Sequence, residues 1–305
     1  MKIAILGGGA MGALFGGYLS RRHDVVIVDV NEALVDQVNR NGLVIEEPDG
    51  SSAVYHPAMT SKPTHDAPVD LMIVFVKAMF SRCALTSNRA LMDEHTYMMT
   101  LQNGSGHEDT LREFTDDGHI IIGTTQHNSA VTGLGRIRHG GSGITHMGCL
   151  TGDVHRLQPI ADALCQSGLE ADCCDGVQRL IWQKMFTNVS ASALTGILQM
   201  PLGFIAADPD AWELCKTLIR EAVDVANADG MEFDVEEKIA EVRAVCEKSP
   251  AGITSICADI RDGRFTEVDT ISGSVVRASK RNGVPAPSHE LIVHIVHAME
   301  RKARM

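Results

Sequence analysis

The stretch MKIAILGGGAMGALFGGYLS at residues 1–20 decides the fold of the N-terminal half. Residues 2–6 are apolar and of strand length, and the glycines of a G-x-G-x-x-G pattern follow at Gly7, Gly9 and Gly12. In such a strand–turn–helix unit, one glycine allows the tight turn, one lets a pyrophosphate approach the backbone, and one lets the helix pack close to the strand. The stretch therefore predicts a dinucleotide site formed by Gly7, Gly8, Gly9, Ala10, Met11 and Gly12.

An acidic residue follows the second predicted strand, where a dinucleotide site needs one. The strand DVVIVDV at 24–30 ends near Asp29, which lies 22 residues after Gly7. A carboxylate there accepts hydrogen bonds from the adenosine ribose, which suits the free 2′-hydroxyl of NAD and repels the 2′-phosphate of NADP. Asp29 could also cap the helix that follows. Because Val30 and Asn31 supply no arginine, the pattern favours NAD(H), and NADP(H) stays open.

Three further apolar runs predict strands of the same sheet. They cover 69–78, 96–106 and 119–125, and the first two end in polar residues, Lys77 and Asn103. Strands that alternate with helices form a parallel sheet covered on both faces, and ligands bind beyond the carboxyl ends of its strands. Lys77 could be a solvated lysine and Asn103 a turn residue before glycine. Their places at two strand ends also make them candidates for a binding site.

Helical periodicity replaces the strand pattern after about residue 175. The predicted helices are 177–199, 209–229, 234–247, 251–261, 266–281 and 288–302. The predicted fold class is an α/β Rossmann domain with a doubly wound parallel sheet, followed by an all-α domain. We place the dinucleotide-binding domain at 1–174 and a helical substrate domain at 175–305, with a cleft between them.

A polar stripe runs along the predicted helix that contains IWQKMFTNVSASALTG, residues 181–196. Lys184, Asn188 and Ser192 are spaced four residues apart, so they share one side of an α-helix, and Thr195 extends the stripe. A lysine on an apolar helix often reaches solvent at the rim. Alternatively, the stripe faces the cleft, where partial burial lowers the pKa of Lys184 toward neutrality and lets it act as a general acid.

A second polar cluster lies in GITSICADIRDGRFTEVD, residues 252–269. Ser255 precedes a helical run, and Glu267 falls on the first turn of the next predicted helix. Both residues could serve as helix caps or as partners of a helix dipole. The alternative places both side chains in the cleft.

The composition argues against several classes of protein. A formal net charge of −12 disfavours binding to nucleic acid or to an anionic membrane, although a small anionic substrate can still bind in a locally positive site. No segment reaches the roughly 18 apolar residues that span a bilayer, and no signal pattern opens the chain, so we predict a cytoplasmic protein. Scattered cysteines and histidines, including His127, His139 and His146, show no ligand spacing, so no disulfide or metal site is predicted.

Several of these motifs together resemble a known family. The chain is similar to the ketopantoate reductases (2-dehydropantoate 2-reductases) along nearly its whole length. The motifs that carry the resemblance are GGGAMG at 7–12, VKA with Lys77, LQNG with Asn103, GITHMG at 143–148, WQKMFTN with Lys184 and Asn188, and TSICADIRDGRFTEVD with Ser255 and Glu267. The last two are far more specific than the glycine motif.

The resemblance implies a reaction and a role for each matching residue. The reaction is NAD(P)H-dependent reduction of a small anionic 2-oxo acid, with 2-dehydropantoate as the leading substrate and an R-configured 2-hydroxy acid as product. Lys184 donates the proton to the ketone oxygen, and Glu267 contacts the substrate and supports catalysis. The implied binding residues are Asn103, Asn188, Ser192 and Ser255 for substrate, and Lys77, Asn103 and Glu267 for cofactor. A homodimer formed through the helical domain is compatible with the family.

Two positions depart from the family pattern. Many members have a second asparagine four residues after the one matching Asn188, where this chain has the shorter Ser192. Many also use NADPH and carry a basic residue just past the second strand, where this chain has Asp29, Val30 and Asn31. Both departures fit an NADH-dependent D-2-hydroxyacid dehydrogenase that acts on other branched or bulky 2-oxo acids. A non-catalytic NAD(H)-binding redox sensor is the alternative from another class.

Overall fold

The computed structural model describes residues 1–62 and 68–303, and the chain divides into two compact units. The first unit contains residues 1–102 and 107–178, and the second contains 103–106 together with the chain from 179 onward. The short segment at 103–106 therefore belongs with the helical unit, although it follows a strand of the first unit. The domain boundary predicted at 174 and 175 stays a prediction.

The first unit is built on an eight-stranded, mostly parallel sheet. The strands of the described residues are β1 Lys2–Leu6, β2 Asp24–Val28, β3 Leu43–Glu46, β4 Ser52–Tyr55, β5 Ala58–Thr60, β6 Leu71–Val74, β7 Tyr97–Thr100, β8 Ile120–Thr125, β9 Asn128–Gly133, β10 Arg136–Gly141, β11 Thr145–Cys149 and β12 Ala171–Cys173. The order in the large sheet is β12-β11-β8-β7-β6-β1-β2-β5, and only the pairing of β11 with β8 is antiparallel. The predicted α/β fold class is confirmed.

Strand β1 lies where the chain changes direction across the sheet. It pairs in parallel with β2 on one side and with β6 on the other. In parallel sheets of this kind, a crevice for ligands opens beyond the carboxyl ends of the strands at such a switch point. The glycine loop begins directly after β1, so the fold places it at that point.

A second, four-stranded sheet was not predicted from the sequence. Its order is β4-β3-β10-β9, and its edge strand β9 is mostly exposed, so the strand lacks the apolar run that marks a buried strand. The helix α1, Ala10–Leu19, has apolar contacts with both sheets. A Cβ on Gly16 would lie 2.5 Å from Ile27 in β2, and one on Gly17 would lie 2.7 Å from Ile45 in β3. Close packing on two sides explains why α1 is apolar all round.

The second unit is helical, as predicted. After α1, the helices of the described chain are α2 Glu32–Asn41, α3 Ser81–Ser87, α4 Glu108–Leu111, α5 Gln158–Gln166, α6 Val177–Thr187, α7 Ala193–Leu198, α8 Leu202–Ala207, α9 Pro209–Ala228, α10 Val235–Lys248, α11 Ser255–Arg261, α12 Ser272–Asn282 and α13 Pro287–Lys302. The long helix α9 buries an apolar face that includes Leu218, Ile219 and Val223. It packs against α8, α10, α12 and α13, and forms the centre of the unit.

One predicted helix is interrupted by a π-helical turn. The chain predicted as one helix over 177–199 forms α6, then a π-helix at Asn188–Ser192, then α7. A π turn holds one more residue than an α turn and is found frequently at functional sites. The even four-residue spacing assumed for the polar stripe is therefore wrong beyond Asn188, because the helix changes its pitch there.

Within the described residues, no helix combines the length and the apolar character that crossing a membrane requires. All eight cysteines of the chain are free thiols, as expected from their scattered positions.

Candidate active site

The glycine loop between β1 and α1 is shaped by backbone contacts. Gly7 has a φ of +102°, in the left-handed region that favours glycine. A Cβ on Gly12 would lie 1.8 Å from the carbonyl oxygen of Gly7, whereas a Cβ on Gly9 would meet no described atom within 4 Å. The loop therefore needs glycine at positions 7 and 12 for its own fold. At Gly9 it leaves open space, as a bound pyrophosphate requires.

The first turn of α1 offers donors beside this space. Gly9 is the N-cap of α1 and has no side chain to accept from the first turn. The first N–H groups of a helix lack partners inside the helix and carry the positive end of its dipole. The loop and the helix start thus fit the phosphates of a dinucleotide.

Asp29 lies directly after β2 and contacts the glycine loop. Its Oδ2 accepts from the N–H of Gly8 at 2.7 Å, and its Oδ1 accepts from the N–H of Asn31 at 2.9 Å. The N-cap of α2 is Asn31, whose side chain accepts from the N–H of Leu34 at 3.2 Å. Asp29 is therefore not the cap that was considered as its alternative role. Each carboxylate oxygen can accept a further hydrogen bond.

A cavity of about 320 Å³ lies beside this loop, and Arg136 lines it. Gly8, Gly9, Asn31 and Asp29 form one part of the wall, and the turn and strands of the β9–β10 hairpin form another. The guanidinium of Arg136 donates to Glu46 at 2.9 Å. Sequence reasoning missed Arg136, because it is more than a hundred residues from Asp29 in the chain and reaches the cavity only through the unpredicted sheet.

Lys77 lies in a loop that a glutamine holds. The strands predicted over 69–78 and 96–106 are shorter, so Lys77 and Asn103 each follow their strand by three residues. Lys77 is half-buried and precedes a 3₁₀ turn. The amide of Gln102 donates to the carbonyl of Val76 and, at 2.9 Å, to Ser81. Gln102 thereby binds the carbonyl just before Lys77 and the Ser81 hydroxyl four residues after it, a role that the sequence did not predict.

In the second unit, the segment 103–106 is bound to the turn that carries Glu267. The side-chain amide of Asn103 donates to Glu267 Oε2 at 3.4 Å, and the Thr270 hydroxyl donates to the Asn103 carbonyl at 3.1 Å. The N–H of Ser105 donates to the Thr270 carbonyl at 2.9 Å. Gly104 has a φ of +101°, and a Cβ there would lie 2.0 Å from Thr270 O. Asn103 and Glu267 are thus brought together, although they are far apart in the chain.

Glu267 does not lie on a helix, contrary to the prediction of a helix over 266–281. Helix α12 begins at Ser272, and Glu267 lies in the turn before it, with its carbonyl accepting from the N–H of Ile271 at 3.0 Å. The buried Glu300 of α13 accepts from both the N–H and the hydroxyl of Thr266 at 2.7 Å. These two hydrogen bonds hold the turn in a non-helical conformation, so α12 does not extend further toward the N-terminus. They also fix the backbone next to Glu267.

Lys184 lies on α6, and its pKa is lowered. Burial lowers its pKa from the ordinary lysine value, and the negative charge of Glu267 opposes this by favouring the ammonium form. The side chain as a whole is exposed. Both properties hold together, because exposure is summed over the whole side chain whereas the pKa responds to the surroundings of the amino group. The link between Lys184 and Glu267 joins them to Asn103 in one polar group.

The other residues of the polar stripe become more buried along the chain. Asn188 is half-buried, Ser192 is 7% exposed and Thr195 is fully buried. The Thr195 hydroxyl lies 2.7 Å from that of Thr254 and donates to the Ser192 carbonyl at 2.7 Å. Thr195 therefore ties α7 to the start of α11.

Ser255 is the first residue of α11 and is exposed. The cap of that helix is Thr254, whose hydroxyl accepts from the N–H of Cys257 at 3.4 Å. The capping alternative for Ser255 is therefore wrong, and its side chain is left for a binding role. The substrate role of Ser255, like those of Asn188 and Ser192, stays a prediction, as does the cleft predicted between the two domains.

The family models that match this chain describe one family over both units. The chain matches the family described as "Ketopantoate reductase PanE/ApbA" over residues 3–152 and the family described as "Ketopantoate reductase PanE/ApbA C terminal" over 176–300. It is 28% identical over 304 residues to the 2-dehydropantoate 2-reductase of Halobacterium salinarum, covering 99% of both chains. The enzyme of the same name from Streptococcus pyogenes is 30% identical, with 98% of both chains covered.

Solved structures of two kinds of enzyme are similar to this chain over nearly its whole length. D-mandelate dehydrogenase in a ternary structure with NADH and anilino(oxo)acetate has a TM-score of 0.92 at 30% identity, and each chain covers 100% of the other. The 2-dehydropantoate 2-reductase of Geobacter metallireducens has a TM-score of 0.88 at 26% identity, covering 98% of this chain and 99% of that chain. The similarity therefore extends over both units.

Proposed function

The chain belongs to the ketopantoate reductase family, and from this premise we propose that it reduces 2-dehydropantoate to (R)-pantoate with a nicotinamide dinucleotide as hydride donor. The family resemblance predicted from the sequence is confirmed, and so is the prediction of an oxidoreductase. The observation that carries the proposal is the contact that brings Asn103 to Glu267, together with Lys184, whose amino group interacts with Glu267.

The first unit fits the dinucleotide. When bound, a reduced nicotinamide dinucleotide supplies the hydride that reduces the carbonyl carbon. The glycine loop and the first turn of α1 would hold its pyrophosphate, since Gly9 leaves space and the N–H groups point out of the helix start. Asp29 would accept from the adenosine ribose, and Lys77 would lie beside the cofactor as the family resemblance implies.

Lys184 supplies the proton. As hydride reaches the carbonyl carbon, negative charge develops on the ketone oxygen, and the nearby ammonium both stabilises it and transfers a proton to it. An ordinary lysine is too weak an acid to give up its proton easily near neutral pH. Burial corrects this by lowering the pKa, while Glu267 keeps enough of the protonated form. A general acid works best when its pKa lies near the working pH.

Glu267 and Asn103 orient the substrate and the lysine. Asn103 donates to Glu267, so the carboxylate is held in place before any ligand arrives. Asn188 and Ser255 would donate hydrogen bonds to the substrate carboxylate, and Ser192 would limit the space for its side chain. Neutral donors and the positive charge of Lys184 would therefore bind the substrate carboxylate, so an anionic substrate can bind although the protein is acidic.

We further propose that NADH is preferred over NADPH. Asp29 already receives two backbone N–H groups, which hold its negative charge where a 2′-phosphate would have to bind. Arg136 lines the same cavity but is paired with Glu46, which also lies 3.8 Å from Arg138. Asp29→Asn should lower the preference for NADH, and Glu46→Gln should improve the use of NADPH by releasing Arg136.

A second candidate is a D-2-hydroxyacid dehydrogenase that acts on bulkier 2-oxo acids. Two observations favour it. Ser192 stands where the family resemblance implies asparagine, and its side chain is shorter. The chain also resembles the NADH-bound structure of D-mandelate dehydrogenase over its full length. The redox-sensor alternative has less support, because a sensor would not need the Lys184–Glu267 interaction.

The test is an initial-rate comparison on the purified protein. We expect 2-dehydropantoate to have a higher kcat/KM than benzoylformate, and NADH a higher kcat/KM than NADPH. Faster NADH-dependent reduction of benzoylformate would replace the first candidate with the second. An absence of turnover with both acids, together with tight NADH binding, would support the sensor. The homodimer and the cytoplasmic location stay predictions, which sedimentation and cell fractionation can test.

A further inference from the structure

Three side chains with metal-binding atoms meet at the edge of the large sheet. The parallel pairing of β11 with β12 sets His146 directly opposite Asp172, and Nδ1 of His146 lies 2.7 Å from Asp172 Oδ1. Cys174 lies two residues beyond Asp172, and its N–H continues the ladder by donating to the Met147 carbonyl at 2.9 Å. Alternate residues of a strand share one face. The imidazole, the carboxylate and the thiol therefore project from the same side of the ladder.

The three donor atoms are close enough to share one ion. One ligand atom from each residue lies within 4.8 Å of the other two. In a tetrahedral zinc site with bonds of about 2.0 to 2.3 Å, ligand atoms lie roughly 3.5 Å apart, so modest side-chain rotations would complete the site. Sequence spacing gave no sign of it, because His146 and Asp172 are 26 residues apart and meet only through strand pairing.

The position is also accessible. The His146 side chain is 19% exposed and that of Asp172 is 46% exposed. Cys174 is half-buried. Strand β12 is the last strand of the sheet, so an ion can enter from solvent and water can complete its coordination. Neighbouring Cys173 alternates with Cys174 along the strand and is not one of the three donors.

We propose that His146, Asp172 and Cys174 bind a divalent transition metal ion of the Zn²⁺ class, with water as the fourth ligand. One nitrogen, one oxygen and one sulfur donor suit Zn²⁺ or Co²⁺, whereas Mg²⁺ and Ca²⁺ require oxygen ligands throughout. The ion would tie the three-residue strand β12 to β11 and so secure the sheet edge. None of the three residues takes part in the proposed reduction.

Binding would release protons. In the free protein the Cys174 thiol is protonated at neutral pH, because burial, with the charges of Asp172 and Asp175, raises its pKa. To bind, the thiol gives its proton to solvent and the sulfur lone pair forms the bond to the metal. The neutral imidazole binds through Nδ1 and carries its proton on Nε2.

The test is a Co²⁺ titration of the purified full-length protein under reducing conditions. We expect one equivalent to produce a thiolate-to-cobalt charge-transfer band in the near ultraviolet, together with the visible bands of a four-coordinate ion. Excess Zn²⁺ should remove both. Cys174→Ser should abolish the charge-transfer band, and Cys173→Ser, the matched control, should keep it.

A second pair of variants tests the imidazole. His146→Gln should weaken Co²⁺ binding at least tenfold, and His155→Gln, at an exposed histidine of the same unit, should leave it unchanged. Thermal unfolding of each variant without metal checks that it folds. The proposal is overturned if no band forms with equimolar Co²⁺, if Cys174→Ser keeps the band, or if Cys173→Ser loses it. Because the readout is metal binding, the result does not depend on which 2-oxo acid the enzyme reduces.

Discussion

The glycine loop of the first unit and the Lys184–Glu267 group of the second are built in different ways. The loop is formed by backbone atoms, and its shape depends on the absence of side chains, since a Cβ on Gly12 would overlap the Gly7 carbonyl. The second group is made of side chains from α6, the 103–106 segment and the turn before α12. Its residues are specified by the charge and the hydrogen-bonding atoms they carry.

The difference indicates which substitutions each region tolerates. A larger side chain at Gly7 or Gly12 changes the shape of the backbone, so it should affect folding and cofactor binding together. A shorter side chain at Lys184 should leave the fold intact and remove the proposed proton donor. Substitutions in the two regions should therefore separate binding from chemistry.

The largest effect is expected for Lys184→Ala. Loss of a general acid typically costs about 10² to 10⁴ in rate, so kcat should fall within that range. NADH affinity, measured by fluorescence titration, should stay within about twofold, because the glycine loop lies in the other unit. Lys216→Ala, at a lysine of α9 paired with Glu213, is the control and should keep full activity. Full activity of Lys184→Ala would remove the proton-donor role.

The pH dependence of reduction should show the lowered pKa of Lys184. The active form is the ammonium, so kcat/KM should be constant below this pKa and fall about tenfold per pH unit above it. Since burial lowers the pKa, the decline should begin below the ordinary lysine value. Lys184→Arg, whose guanidinium does not titrate in this range, should lose the decline along with most of the activity. A decline that persists in this variant would have another origin.

In the loop, Gly12→Ala and Gly9→Ala form a matched pair. The new Cβ at position 12 would lie 1.8 Å from the Gly7 carbonyl, so we expect a loss of about 1–3 kcal/mol in the free energy of unfolding and weaker NADH binding. At position 9 the Cβ meets no described atom, so stability should hold while NADH affinity falls. Urea unfolding and NADH titration measure the two effects. Equal stability losses in both variants would contradict the backbone description.

The smallest expected effect is on the pH dependence of stability, and it concerns one buried histidine in each unit. Burial lowers the pKa of both His127 and His289, so the folded protein favours the neutral imidazole at each position. A depressed pKa means that the unfolded chain binds more protons, so stability falls as the pH drops below about 6.5. Each group contributes at most about 1.4 kcal/mol per pH unit.

His127 and His289 should differ in how strongly they respond. His127 is 6% exposed, and the charge of His139 adds to the effect of burial in lowering its pKa. His289 is fully buried, and the Leu218 carbonyl, 2.9 Å from its ring, and the charge of Glu221 oppose the effect of burial on its pKa. Because burial is the largest cause at both residues and is complete at His289, His289→Gln should reduce the pH dependence of unfolding between pH 7 and pH 5 more than His127→Gln does. The reverse order would show that the charges around the two rings outweigh the difference in burial.

The sequence predicted the elements whose pattern is local. The glycine turn, the buried parallel strands and Asp29 after β2 follow from spacing and hydrophobicity alone, and the structure places them as expected. The helical character of the second unit was equally clear from its periodicity. The specific motifs around Lys184 and Glu267 were sufficient to identify the family.

Features that depend on distant contacts were missed. The exposed strands of the second sheet lack an apolar run, and Arg136 enters the cavity only because that sheet forms. The predicted helix over 266–281 includes Glu267, because nothing near Glu267 in the sequence shows that Glu300 accepts a hydrogen bond from Thr266. The grouping of His146 with Asp172 likewise depends on strand register. In each case the deciding partner lies 26 or more residues away.

The π turn at Asn188–Ser192 makes the helix sensitive to the length of the chain. Removing one residue from this turn would allow a continuous α-helix to form, so helix content should hardly change. Because the deletion removes the one residue by which a π turn exceeds an α turn, Lys184 and Thr195 would keep their directions, while side chains within the turn would change theirs. A one-residue deletion that keeps its circular dichroism yet loses turnover would identify this turn as the element that sets the angle between Lys184 and the side chains of residues 188–192.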